Sequence, residues 1–161
     1  MRYVTVAAAV VWCVVGMGTI AHAQDAQMMA PIKKFMDSFN KGDMAGAAAT
    51  HAADPGLTII DEVPPFIWRG ADAFKAWSAD LDSDSKKRAM TEPMVTLSAP
   101  IRTETDGNHA YVVVPTVFTF KEKGVPMREA AQMTFILKKS ASGWLIHGWT
   151  WTGPKPQKAA K

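Results

Sequence analysis

Apolar residues recur along this chain in two rhythms, and the change from one to the other divides it. Ile32, Phe35, Met36 and Phe39 fall at i, i+3, i+4 and i+7, with Lys33, Lys34 and Asp37 between them. That spacing places one apolar stripe along one side of a helix. Pro31 suits the first turn, where the donor it lacks would be unpaired anyway. Asn40-Lys41-Gly42 ends the helix with a cation and a glycine. Asp43 can cap a second, alanine-rich helix to about residue 50, and Asp54-Pro55-Gly56 is a turn signal. Residues 58–77 then read T-I-I-D-E-V-P-P-F-I-W-R-G-A-D-A-F-K-A-W. This is a short apolar strand ending in Asp61 and Glu62, an extended turn forced by two prolines, the aromatics Phe66 and Trp68, and a third helix opened by Gly70. Phe74, Trp77 and Leu81 form the apolar stripe of that helix. Residues 80–87 read as a charged, serine-containing connection.

From Met94 onward the period is two. Residues 94–105, 111–121, 126–139 and 144–152 alternate apolar and polar positions. Between them stand Asp106-Gly107-Asn108, Lys123-Gly124 and Ser140-Ala141-Ser142-Gly143, each a hairpin signal, so the expected arrangement is an antiparallel meander. Pro100 and Pro115 fall inside strands and mark bulges or an edge. By strict alternation Leu145, His147, Trp149 and Trp151 share one face, as do Met133, Phe135 and Leu137, and this face is expected to turn toward the helices. The other face would keep Trp144, Ile146, Ile136, Val114, Phe118 and Phe120. So much apolar surface predicts burial against a second copy, in a homodimer.

The N-terminus and the charge balance narrow the class. Arg2 followed by uncharged residues 4–20 and Ala21-His22-Ala23 has the form of a secretory signal with cleavage after Ala23. The expected organisation is a signal peptide at 1–23, one domain at 24–153 and a basic, solvated tail at 154–161, with a periplasmic or secreted destination. Cys13 lies in the signal segment, so the mature chain would have no thiol nucleophile, disulfide or cysteine ligand. The formal net charge of +3 comes largely from Lys155, Lys158 and Lys161 in the tail and from the leader. No basic patch with interleaved aromatics is present, which argues against nucleic acid as a partner.

Helices first, a short strand, W-x-G into a third helix and then a curved four-stranded meander resemble the nuclear transport factor 2-like, or SnoaL-like, α+β cone. Phe39-Asn40-Lys41-Gly42-Asp43 is similar to that family's link between its first helices. Ile60-Asp61-Glu62 with Pro64-Pro65-Phe66 and Trp68-x-Gly70 is similar to a pocket-rim segment of bacterial members, and Gly143-Trp144-x-Ile146 resembles the opening of the family's last strand. The resemblance implies a curved antiparallel sheet wrapped around N-terminal helices, with a ligand cavity at the open end and dimerisation through the sheet. It carries no single activity, since the fold serves isomerases, cyclases, dehydratases, hydrolases and binding modules. The ketosteroid isomerases of the superfamily use an aspartate base opposite a tyrosine and a protonated aspartate. Their tyrosine comes from the first helix, whose stripe here holds only Phe35 and Phe39.

Asp61 shares its side with Ile59 and is the residue expected to enter the cavity, with Glu62 pointing away. A carboxylate enclosed by aromatics has a raised pKa and can accept a proton. His147 is the candidate acid–base partner. Phe66, Trp68, Tyr111, Met133, Phe135, Trp149 and Trp151 are the candidate ligand-binding residues, suited to a flat or apolar molecule. His51 and His109 read as solvated. No ligand spacing points to a metal, and no phosphate loop or nucleophile elbow to a cofactor or acyl transfer. Two functions remain: an exported small-molecule-binding protein with acid–base capacity, or an interaction module whose cone its own tryptophans fill. An open space of about 300 Å³ or more beside Asp61 or His147 separates them.

Overall fold

The computed structural model describes residues 17–159, with side chains from residue 26 onward. Residues 1–16 of the expected signal peptide, Cys13 included, and residues 160–161 of the tail lie outside them. Helix α1 (Met17–Asn40) runs through Ala21 and Ala23 and carries Pro31 in its interior, not in its first turn. An interior proline removes one backbone hydrogen bond. Burial of Met28 and Met29 as well as Ile32, Phe35 and Met36 offsets this by extending the apolar stripe one turn toward the N-terminus. Asn40 then ties the end of α1 to the sheet, its side chain donating to the Val95 carbonyl and accepting from the Val95 amide, both at 2.8 Å. Helix α2 (Met44–Ala48) is capped as expected, with Asp43 accepting from the Gly46 amide. No described helix is long and apolar enough to cross a membrane.

Helix α3 (Ala73–Arg88) continues through residues 80–87, which the sequence reading assigned to a connection. Their charges pair along the helix, Lys86 with Asp82 and Arg88 with Asp84, at i,i+4 spacing. Phe74 and Trp77 face the core, and the helix stops at Ala89, whose φ of 52° is left-handed. The indole of Trp68 donates to Asp80 Oδ2 at 2.8 Å, fixing α3 against the short strands β1 (Thr58–Ile60) and β2 (Ile67–Arg69).

The meander follows: β3 (Met90–Leu97), β4 (Arg102–Asp106), β5 (His109–Glu122), β6 (Val125–Ser140) and β7 (Gly143–Thr152). Strand order is β2-β1-β7-β6-β5-β3, with β4 also on β5. The stretch expected as one strand at 94–105 is therefore two, both laid along β5. Residues 98–101, with Pro100, form the break. Pro115 lies opposite it, its carbonyl accepting from Ser98, so the amide it lacks faces the gap. The sheet is mixed, because β1 pairs with β7 in parallel. At Gly148 the backbones come very close: a side-chain carbon there would lie 2.9 Å from the Thr58 carbonyl oxygen.

One residue changes the facing of the last strand. Ile136 pairs with Gly148 and Leu137 with Ile146, so His147 is an extra, bulged residue in β7. Before the bulge Trp144 and Ile146 turn inward; after it Trp149 and Trp151 do, all packing in or against the core. Met133, Phe135 and Leu137 point inward as expected. His147, expected inside, is not in the core, and Trp144 and Ile146, expected outside, are. Val114, Phe118 and Phe120 are inward as well, because β5 has the opposite phase to the one assumed. Of the six residues on which the dimer expectation rested, only Ile136 is an exposed large hydrophobic, so the outer face lacks the apolar area that motivated it.

The tail is seated too. A two-residue strand β8 (Gln157–Lys158) pairs with Met127 and Arg128 of β6, and the Ala159 amide donates to the Pro126 carbonyl.

Candidate functional site

The cone opens between α1, α3 and the inner face of the sheet. Its apolar end is walled by Phe39, Trp77, Leu81, Met133, Trp149 and Trp151, and Asp61 and Glu62 stand at its edge. The strand β1 ends at Ile60, so the backbone turns there and both acids, not Asp61 alone, border the same space.

Asp61 is held by two donors. The Trp77 indole N–H reaches Oδ2 at 2.6 Å and the Glu62 amide reaches Oδ1 at 2.7 Å. Burial pushes its pKa up and the charge of Asp84 adds to this, while the two hydrogen bonds pull it back; the net direction is upward. Glu62 is pushed up to about 7 by burial and by the charges of Glu129 and Asp61, against the pull of Arg88. Because Glu62 is exposed as a residue, repulsion from its neighbours is the firmer of those causes. Glu129 projects inward from β6 and is 1 % exposed. Its Oε1 accepts from the Trp151 indole at 2.8 Å, whereas Oε2 is buried without a donor. Burial raises its pKa as well.

Arg88 is the cation of this region, and its charge is already committed. It lies 3.1 Å from Glu122, 3.5 Å from Asp84 and over the Phe120 ring at 5.3 Å. Around Arg88 the space widens into an outer recess that shares Glu62, Val63, Asp84 and Arg88 with the inner chamber and is bounded by Glu122 and the tail residues Lys155 and Pro156. The chamber beside Asp61 measures about 60 Å³ and the outer recess about 340 Å³. The chamber alone falls below the expected threshold and holds the equivalent of about five waters. The larger volume lies outside it, on the acidic rim.

Four of the expected site residues, Asp61, Met133, Trp149 and Trp151, border the chamber. The others do not. His147 leaves the inner face at the bulge and bonds through Nε2 to Asp54 Oδ1 at 2.8 Å, with Lys138 on the other oxygen. Phe66 is 56 % exposed, Trp68 is committed to Asp80, and Phe135 is buried in the core proper. Tyr111 carries the Arg102 guanidinium over its ring on the outer face. His51, expected in solvent, is buried: Nδ1 lies 3.0 Å from the Ala47 carbonyl and Nε2 accepts from the Trp149 indole at 3.1 Å. This is the neutral tautomer with the proton on Nδ1, and burial lowers its pKa to about 4. His51 thus sets the pose of a chamber wall. Glu129, Asp84 and Arg88 were missed, because an acid in a strand or on a charged helix gives no signal until its neighbours are known. Among the described residues no group of three or more acids, histidines or cysteines is placed to hold a metal ion.

No family model matches the sequence, and no curated protein matches it. Solved structures do. A nuclear transport factor 2-like superfamily protein from Salmonella enterica serovar Typhimurium superposes with a TM-score of 0.68 at 17% identity, covering 87% of this chain and 96% of that one. A ketosteroid isomerase-like protein from Erwinia carotovora atroseptica gives 0.63 at 22% identity, over 83% of this chain and 98% of that one. A type 2 hexachlorocyclohexane dehydrochlorinase gives 0.70 at 12% identity, over 87% and 91% respectively.

Proposed function

With the nuclear transport factor 2-like cone as the fold of this chain, we propose that it is an exported protein that binds a small organic molecule and can exchange a proton with it. Export rests on the Ala21-His22-Ala23 signal. The observation that carries the binding reading is the Asp61 carboxyl at the edge of an apolar chamber, held by Trp77 and disfavoured as an anion by burial. Such a group is poised to accept a proton from a carbon or oxygen acid at its edge. The apolar end of the ligand enters the inner chamber and its polar end remains in the outer recess. That a ketosteroid isomerase-like protein and a dehydrochlorinase share the fold supports a small-molecule role.

Trp77, Trp149 and Trp151 report occupancy through their fluorescence. Titration with cyclohexanone should quench them saturably, and in deuterium oxide the bound ketone should exchange its α-hydrogens faster than in buffer. Asp61→Asn, which still offers an oxygen to Trp77, should keep the quenching and lose about tenfold or more of the exchange. Exchange that is unchanged in the variant removes Asp61 as the base. The small inner chamber supports a second reading, a filled cone acting as an interaction module. Absence of quenching by any small apolar probe, with a protein co-purifying in its place, would decide for it.

A further inference from the structure

Each indole on the chamber wall has its N–H committed to an acceptor of the protein. Trp77 donates to Asp61 Oδ2 at 2.6 Å, Trp149 to His51 Nε2 at 3.1 Å and Trp151 to Glu129 Oε1 at 2.8 Å. The three rings are held in place by these bonds and offer the interior carbon surface, beside Phe39, Leu81 and Met133. Four charged side chains border the chamber, and three of them, Glu62, Asp84 and Arg88, also line the outer recess. Arg88, the cation among them, is engaged by Asp84 and Glu122. Asp61 alone of the four borders the chamber and not the recess. Its oxygens take one hydrogen bond each, from Trp77 and from the Glu62 amide, whereas a carboxylate has about four acceptor positions. A ligand inside the chamber therefore meets spare acceptor capacity at Asp61 and no free indole N–H.

We propose that the ligand is a single-ring hydroxyl compound of the phenol type, its ring among Trp77, Trp149 and Trp151 and its O–H donating to Asp61. The volume sets the ring count. At about 60 Å³ the chamber has room for about five waters, and their about 150 Å³ of liquid matches the size of cavity that takes up one benzene ring. The walls set the ring type, since indole faces and the thioethers of Met36, Met90 and Met133 favour an aromatic body over an aliphatic one. The hydrogen bonds already made set the substituent. A hydroxyl offers Asp61 one more donor, in a charge-assisted bond. A ketone or ether oxygen gives up its water and gains no donor from Asp61 or the indoles, so such a molecule binds through its ring alone. This assignment rests on the small-molecule reading above and adds its chemical class.

The test compares phenol, anisole and toluene, which share the ring and differ at one substituent: a donor, an oxygen that only accepts, and a methyl group. Each is titrated into the protein by calorimetry at about pH 8, where phenol, with a pKa close to the tyrosine value of about 10, keeps its proton. Phenol should bind about tenfold or more tighter than anisole, as a hydrogen bond to a charged acceptor replaces an oxygen left without a donor. It should also match or exceed toluene, in spite of toluene's larger apolar surface. Asp61→Asn, which still offers an oxygen to Trp77 but carries no charge, should bring the phenol-to-anisole ratio down to about twofold or less. If toluene or anisole binds and phenol has no advantage over anisole, the hydroxyl assignment is overturned and the small-molecule reading stands. A phenol advantage that survives in Asp61→Asn overturns Asp61 as its acceptor. If none of the three binds, both the assignment and the small-molecule reading are overturned.

Discussion

Glu129 is a buried acid whose two oxygens have different fates, one accepting from Trp151 and the other waiting on Glu62. A carboxyl group whose folded pKa is raised makes its unfavourable contribution above that pKa and loses it as pH falls, since the folded state then binds the proton more readily than the unfolded chain. Glu129→Gln keeps an oxygen for Trp151 and removes one of the repelling charges. The variant is expected to be more stable than the parent at about pH 8, by on the order of 1 kcal/mol after discounting for the exposure of Glu62. Its advantage should shrink as pH falls through about 7, where Glu62 takes up its proton and the repulsion between the two acids is relieved. Urea denaturation of both proteins across that range measures it, and a pH-independent difference would show that the pair is not charged as described.

Strand β7 is the element that organises the site. Its bulge at His147 turns Trp144 and Ile146 inward on one side and Trp149 and Trp151 inward on the other. Just past the bulge, Gly148 lets β1 lie close enough to pair in parallel, and β1 delivers Asp61 at its end. Gly148→Ala would place a methyl group against the Thr58 carbonyl, which is backbone and cannot rotate away. The expected cost is about 1–3 kcal/mol, with weaker protection of the β1 amides in hydrogen exchange. Unchanged stability and protection would mean that the two strands have slack at this point.

Over the whole molecule, two sets of buried titratable groups pull stability in opposite directions with pH. His51 has its folded pKa lowered from 6.5 to about 4. The unfolded chain therefore binds the extra proton between those values, and stability present at neutral pH is lost as pH falls through that window, by up to about 3 kcal/mol. Asp61, Glu62 and Glu129 act the other way, being relieved as they gain protons. Between about pH 6.5 and about pH 4.5 the His51 loss and the Glu62 gain run one proton each way, so the unfolding free energy should be nearly flat across that window. In His51→Asn the loss is removed, and stability should instead rise as pH falls through it, whatever that variant loses at neutral pH. A profile that stays flat in the variant would show that His51 does not titrate across this window.

The period-3.6 stripe of α1, the cap at Asp43, the Phe74 and Trp77 face of α3 and the hairpin signals between β4 and β7 were all legible in the sequence, because each depends on residues a few positions apart. They were enough to identify the fold, and Asp61 was legible as the acid at the end of a short strand. The facing of β7 was not, because one unpaired residue inverts every assignment beyond it and pairing is a property of two strands. Nor was the role of residues 80–87, whose charges read as a loop until Asp82, Asp84, Lys86 and Arg88 are set one turn apart. The rim was hidden for the same reason. Glu62, Arg88 and Glu129 lie on three different elements, and only closure of the cone brings one acid against another.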